Sequence, residues 1–491
     1  MKRREFVKNA GLGVGAVIAG GSVISFIDSC NKGGMMTMMT TYVNVTEGSF
    51  SRPLTIPGLT GANTTLIPQS TAANIDGTQR SVLGYKANGI LGPTIKLNKG
   101  DNANILLQNN LSEPNNIHWH GLMIPSNMDG YPTDVAAAGS TFNYRFTVNQ
   151  RAGLYWYHPH TDMLTGSQAY RGLAGLFMVN DAEEAALNLP SGNNEIPLVL
   201  QDKRLGGSAL NYNPTTMEVM SGFMGESIVV NGVASPYSDV ATRYYRLRIL
   251  NGSNARIYNL AFSNNLPFTI IGSDGGLLKN PQTVSSLLLS PGERIDVLVT
   301  FTGISIGTDV YLLSKTFSNA GNAQGKQEFK IMKFRVSQSA SDSFAIPSTL
   351  SVVSALSGAA QTRNFVLTEM QMSMGGSMNA MHRINDKVFD AARIDETIPA
   401  NSTENWVFEN KGSEPHPIHL HAVQFQILGR TGGENRGISA SEKGWKDTVL
   451  LLPGEKVTLA VPFGSLTGKF VFHCHNLEHE DDGMMLQYMI R

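Results

Sequence analysis

Along most of the chain, apolar and polar positions alternate over short runs that end in Gly, Asn, Asp or Pro. "TIKLNKGDNANILLQNNL" (94–111), "STFNYRFTVNQ" (140–150), "RYYRLRILNGS" (243–253) and "ERIDVLVTF" (293–301) are of this kind. A period of two puts successive side chains on opposite faces of a strand. The 3.6-residue period of long helices is scarce, and "DAEEAALNL" (181–189) predicts one short helical turn. Many short strands and frequent turns predict an all-β fold of stacked Greek-key β-sandwiches.

The pattern also repeats. "NILLQNNLSEPNNIHWHGL" (104–122) and "NWVFENKGSEPHPIHLHAV" (405–423) both run strand, Asn, "SEP" turn, histidine pair. "GLYWYHPHT" (153–161) and "GKFVFHCHN" (468–476) both run Gly, aromatic strand, His-x-His. A third copy, "SIVVNGVASPYSDVATRYYRLRILNGSNARIYNLAF" (227–262), parallels residues 382–421 and contains no histidine. Internal copies of this length mean repeated structural units. The expected plan is three similar domains, 42–185, 195–340 and 362–491, with metal chemistry in the outer two. A chain of 491 residues has room for them, at roughly 100–200 residues per domain.

Composition adds limits. A hydrophobic fraction of 41% with 16% charged residues can fill real cores, which excludes a disordered chain. A net charge of −1 without a basic block gives no footprint for nucleic acid. Residues 1–30 read as a targeting segment: Arg3-Arg4, Phe6 and Lys8 precede "GLGVGAVIAGGSVISFI", too glycine-diluted for a comfortable membrane span. This resembles a twin-arginine export signal, which implies a periplasmic or envelope location. Cys30 stands where a bacterial lipoprotein cysteine would. Ile27 and Ser29 fit that pattern and Asp28 departs from it, so a lipid anchor and a plain leader remnant both stay open.

Ten of the 11 histidines fall in four clusters: His118 and His120; His158 and His160; His416, His419 and His421; His473, His475 and His479. One His-x-His pair can simply line a pocket, but four clusters with almost no histidine elsewhere point to metal. Imidazole alone suits several metals; adding thiolate and thioether shifts the choice to copper. Two His, one Cys and a distant Met form the blue-copper set, which His416, Cys474, His479 and Met484 supply. Structural zinc would want more cysteines than the two present. Strand alternation sends Cys474 to one face and His473 and His475 to the other, so "HCH" links two metal sites through backbone.

In order and spacing, "HWHG", "HPH", "HPIHLH" and "HCHNLEHEDDGMM" resemble the multicopper oxidases from about residue 85 onward. "GWKDT" (444–448) and "HEDDGMM" are similar to the branch of bacterial laccases, bilirubin oxidases and cuprous oxidases. The resemblance implies three cupredoxin-like domains and four copper ions. It implies a type 1 copper on His416, Cys474, His479 and Met484, and a type 2 copper on His118 and His419. It implies a type 3 pair on His120, His158 and His475, and on His160, His421 and His473. The implied reaction takes single electrons from a reductant and reduces O2 to water. Asp129 and Glu480 match acidic positions that would deliver protons or orient water; a surface turn or a salt bridge is the alternative.

The reductant stays open between phenols and Cu(I), with the chain expected as a monomer. "GGMMTMMTT" (33–41) and "TEMQMSMGGSMNAMH" (368–382) are rich in soft thioethers. Met370, Met372, Met374, Met378 and Met381 can conduct Cu(I), or only cover the type 1 site. Gly412 and Glu414 stand where the cuprous oxidases carry an Asp and a Met. A copper store without turnover is the reading from another class.

Overall fold

The computed structural model describes residues 42–87, 89–321, 323–369 and 381–491. The leader, Cys30, the first methionine cluster, Met370, Met372, Met374 and Met378 lie outside the described residues. Strands take 45% of the chain and helices 8%, as the alternating pattern predicts. The protein is built of three cupredoxin-like β-sandwich domains.

The first sandwich pairs a five-stranded sheet, containing His118–His120 and Gly153–His158, with a three-stranded sheet of Asn63–Leu66, Asn102–Gln108 and Thr141–Thr147. Its core holds Trp119, Tyr144, Tyr155, Tyr157 and Phe177. The middle sandwich has seven- and six-stranded sheets. The third has two five-stranded sheets around Phe365, Trp406, Phe408, Phe472 and Tyr488. Thr403–Asn410 shows how the pattern works: Glu404, Trp406, Phe408 and Asn410 alternate inward along the strand. The start of the described chain differs from the expected plan. Arg52–Pro53 pairs in parallel with Pro236–Ala241, and Val45 packs in the middle core, so this segment is a strap on the second domain.

The repeat is visible in individual bonds. Asn109 Nδ2 donates to the Glu113 carbonyl at 2.9 Å, and its Oδ1 accepts from Leu111 N at 3.0 Å. Asn410 does the same with the Glu414 carbonyl at 2.8 Å and Gly412 N at 2.9 Å. In the middle copy Asn251 holds the Arg256 carbonyl at 2.8 Å and Ser253 N at 3.0 Å. A side-chain amide that satisfies the turn's own backbone fixes how the next strand leaves it.

Four short helices matter for the site: α1 (Thr165–Arg171), α2 (Ala182–Ala186), α3 (Thr216–Ser221) and α4 (Leu477–Asp481). The turn predicted in 181–189 is α2, capped by Asp181 on Glu184 N at 2.9 Å. The others are too short for any periodicity. Caps define them: Thr215 and Glu218 make a reciprocal capping box on α3, and the Asn476 side chain accepts from Glu478 N and His479 N on α4. Both α1 and α3 pack on α4.

Candidate metal centre

Two antiparallel strand pairs carry the histidines. His118 stands opposite His158 in the first domain, and His419 stands opposite His473 in the third. The two sets meet between the outer domains, where all eight of His118, His120, His158, His160, His419, His421, His473 and His475 are buried. His118 Nε2 lies 3.3 Å from His419 Nε2. His473 Nε2 lies 3.1 Å from His160 Nε2 and 3.2 Å from His421 Nε2. One proton can bridge one N···N contact, but His473 Nε2 faces two. Moreover, His120 Nδ1, His158 Nε2 and both nitrogens of His475 are buried with no hydrogen-bond partner among the described residues. Each such atom costs about 1–3 kcal/mol. Burial, reinforced for most by neighbouring imidazoles, drives His120, His158, His160, His419 and His421 far below the usual imidazole pKa, and His475 to about 3. A nest of neutral, inward-facing lone pairs is a cation site.

The opposite ring nitrogens show the same design. His118 Nδ1 donates to the Asp129 carbonyl at 2.7 Å, His158 Nδ1 to the Pro159 carbonyl at 2.8 Å and His419 Nδ1 to the Asp447 carbonyl at 2.9 Å. His421 Nδ1 donates to Asp129 Oδ2 at 2.7 Å. His473 Nδ1 lies 3.1 Å from Glu480 Oε2, and His160 Nδ1 lies 3.5 Å from Glu480 Oε1. For His118, His158, His419 and His421, and for His473, whose Nδ1 also lies 3.1 Å from the Cys474 carbonyl, an acceptor at Nδ1 leaves Nε2 free to ligate. His120 is reversed: its Nε2 faces Asp447 Oδ1 at 3.0 Å, leaving Nδ1 for metal. Partners of this kind fix tautomer and ring orientation in metal sites.

So Asp129 is no surface turn: it is buried and grips His421. Glu480 is buried beneath two histidines; burial would raise its pKa, but His160 and His473 outweigh that and hold it well below the carboxylate range. Sequence reasoning passed over Asp447, although "GWKDT" contains it, and over Arg294. Arg294 comes from the histidine-free domain and grips Asp447 with Nη1–Oδ1 at 2.7 Å and Nη2–Oδ2 at 2.5 Å. Burial opposes its charge, but Asp447 and Asp274 outweigh burial and raise its pKa. Gly292, in the same turn, packs so closely that a Cβ would come within 2.9 Å of His475 and 3.1 Å of His120. Glu478 on α4 accepts from Tyr212 Oη at 3.0 Å, Asn254 Nδ2 at 2.8 Å and Phe223 N at 2.9 Å, tying the third domain to the second.

A second cluster lies on the other face of the "HCH" strand. Cys474 Sγ is 3.5 Å from His416 Nδ1 and 3.5 Å from His479 Nδ1, and those two nitrogens are 3.2 Å apart. Three ligands at about 2.0–2.3 Å from one metal sit about 3.5 Å from one another in a trigonal array. Burial pushes the Cys474 thiol well above its usual pKa, so its thiolate needs a cation beside it. Met484 is buried in the same core; its N bonds to the His479 carbonyl at 2.9 Å and its carbonyl accepts from Cys474 N at 3.0 Å. Chemically, a two-His, one-Cys set with a nearby Met suits copper.

His382, the histidine outside the four motifs, belongs here too. Its ring stacks on His479 with centroids 3.7 Å apart. His382 Nε2 lies 3.0 Å and His479 Nε2 2.8 Å from the same Met220 carbonyl, at the end of α3. Asn476 Nδ2, also a donor, lies 3.1 Å from His479 Nε2, so the carbonyl is the acceptor that nitrogen's proton finds. Of the cuprous-oxidase departures, Gly412 leaves room for Glu369: a Cβ there would fall 2.4 Å from Glu369 Oε1. That oxygen accepts from Ser413 N and Glu414 N, each at 2.8 Å. Burial, and then Glu369, lift the Glu414 pKa to about 8.

Three family models described as multicopper oxidase match residues 67–184, 224–339 and 363–491. The multicopper oxidase mco of Staphylococcus haemolyticus is 36% identical over 416 residues, 84% of each chain. A laccase of Bacillus subtilis is 32% identical over 464 residues, covering 82% of this chain and 88% of the laccase. The crystal structure of the McoA multicopper oxidase of Aquifex aeolicus superposes with a TM-score of 0.81 at 34% identity, covering 90% of this chain and 99% of that one. Nitrogen nest, thiolate triad and these matches agree: the chain belongs to the multicopper oxidases, copper-dependent oxidoreductases.

Proposed function

We propose that this oxidase takes electrons singly from a small reductant and reduces O2 to two waters. His416, Cys474, His479 and Met484 would hold a type 1 copper; His118 and His419 a type 2 copper. His120, His158 and His475 would hold one type 3 copper, and His160, His421 and His473 its partner. When bound, these four coppers supply one-electron acceptance at the first site and multi-electron O2 reduction at the other three. The chain's own part is to hold and orient. Cys474 ends the strand Gly468–Cys474, with His473 just before it and His475 just after, so backbone links the two clusters. Asp129 and Glu480 sit against ring nitrogens of the nest, where a carboxylate can orient water or pass protons inward. The observation that carries the reading is the convergence of eight buried histidines from both outer domains. Copper-loaded protein should hold four coppers per chain and consume one O2 per four electrons donated; metal binding without O2 uptake would make it a store.

For the reductant, small cations have the stronger support. His416 and His479 are both fully buried, so no histidine edge of the triad meets solvent. Glu369, beside Glu414 two residues before His416, leaves negative charge near the triad, which favours Cu(I) over a neutral phenol. The name laccase on the Bacillus relative supports phenols instead. Replacing Met370, Met372, Met374, Met378 and Met381 with Leu keeps bulk but removes sulfur. Loss of Cu(I) oxidation with phenol oxidation intact supports a conduit; neither changing leaves these residues a cover.

A further inference from the structure

His382 has no place in the four motifs, yet it is fully buried against the triad. It opens the strand His382–Ile384, directly across from Glu369. Its ring lies over His479 at a 29° interplanar angle and edge-on to His416, 5.5 Å away. Both His382 and His479 point Nε2 at the Met220 carbonyl, whose two lone pairs can accept two N–H groups. That shared acceptor leaves His479 with Nδ1 unprotonated and aimed at Cys474 and His416. It also leaves His382 Nδ1 as a buried acceptor with no donor among the described residues. A buried polar ring with one nitrogen unsatisfied costs stability, which packing alone does not require; leucine would fill the space without that cost. Methionine or leucine could cover His479 but could not lie flat on it; the stacked ring is what sets the plane of His479.

We propose that His382 is a positioning and specificity-determining residue: its ring fixes the plane of His479 and covers the edge that reductants would otherwise touch. This rests on the reading of His416, Cys474 and His479 as a type 1 copper site. The cover has two parts from two domains, the His382 ring from the third and the Met220 peptide, on α3, from the second. Ring and peptide together stand between His479 and the outside, and the ring is itself fully buried, so its removal would open a way toward a copper ligand.

The test uses full-length copper-loaded protein and three variants: His382→Ala, which removes ring and bond; His382→Leu, which keeps bulk without a flat ring; and His382→Phe, which keeps the stack without the Met220 bond. Two quantities are read: the type 1 visible and electron paramagnetic resonance signature, which needs no turnover, and kcat and KM for 2,6-dimethoxyphenol. In His382→Ala the signature shifts and the phenol KM falls about tenfold, the scale of discrimination that pocket shape provides. His382→Phe keeps both near wild type. If the alanine protein does not fold, His382→Leu must still shift the signature. Unchanged signature and KM in the folded alanine or leucine protein overturns the proposal, as does a phenylalanine protein that behaves like alanine. Wild-type protein that binds copper without a type 1 signature would instead sink the underlying assignment.

Discussion

Replacing Arg294 with Met should damage the histidine nest from a domain that contributes no histidine to it. Both partners of the Arg294–Asp447 pair have completely buried side chains, so solvent does not screen them. Removing one partner of a buried ion pair typically costs about 3–5 kcal/mol, because the other charge stays behind unpaired. The Leu154, Gly292 and Asp274 carbonyls also lose donors. Each loss is worth about 1–3 kcal/mol if no water replaces it. Methionine restores most of the volume, so the cavity contribution is small. The stranded charge alone is therefore expected to cost about 3–5 kcal/mol, with more where no water reaches the three carbonyls, a large part of the roughly 5–15 kcal/mol that holds a protein folded. Asp447 can limit the damage only by taking a proton, and then it no longer holds His120 Nε2 as a carboxylate. Denaturant unfolding of the metal-free protein measures the first effect; copper per chain and the type 1 band measure the second. The expected variant is less stable and holds less copper per chain, while the visible band proposed for the Cys474 site stays intact. Adding Asp447→Asn should return about 2–3 kcal/mol by removing the stranded charge. A single variant that loses less than about 1 kcal/mol, combined with simple additivity in the pair, would refute this account.

Cys474→Ser should abolish the intense visible band and nearly all oxidase activity, since a hydroxyl is a poor soft ligand; a retained band rules out the triad. His120→Ala should keep that band while O2 uptake stops, which copper counting and an oxygen electrode check together. Glu480→Gln keeps size but cannot take up and pass on a proton, so the centre proposed at Cys474 should stay reduced during turnover. Unchanged turnover would leave Glu480 as scaffolding.

Much of this was legible in the sequence because its signals are local. Alternation gave the strands, and the paired "SEP" segments gave the repeat down to Asn109 and Asn410. The histidine motifs gave every residue of both clusters except His382. What stayed hidden depends on contacts remote in sequence. Arg294 lies 153 positions from Asp447, and nothing around "GERIDV" distinguishes it from an ordinary strand charge. His382 is a lone histidine, and its meaning comes from Met220, 162 positions away. Helices α1, α3 and α4 are too short to show a period, yet α3 and α4 carry Met220, Glu478 and Glu480.

The nest is closed by residues more than 300 positions apart. His118 meets His419 across 301 positions, and His160 meets His473 across 313. During synthesis the first histidine pairs therefore emerge long before their partners exist, and they can offer copper only incomplete, weak coordination. Full affinity arrives when the last strand is in place and the outer domains have docked. Tight copper retention is thus a readout of a finished chain: a protein truncated before residue 473 should fold its first domain and still fail to keep the metal. Once loaded, copper acts in return as a staple between the two ends, because whatever binds only the docked form stabilises it by mass action.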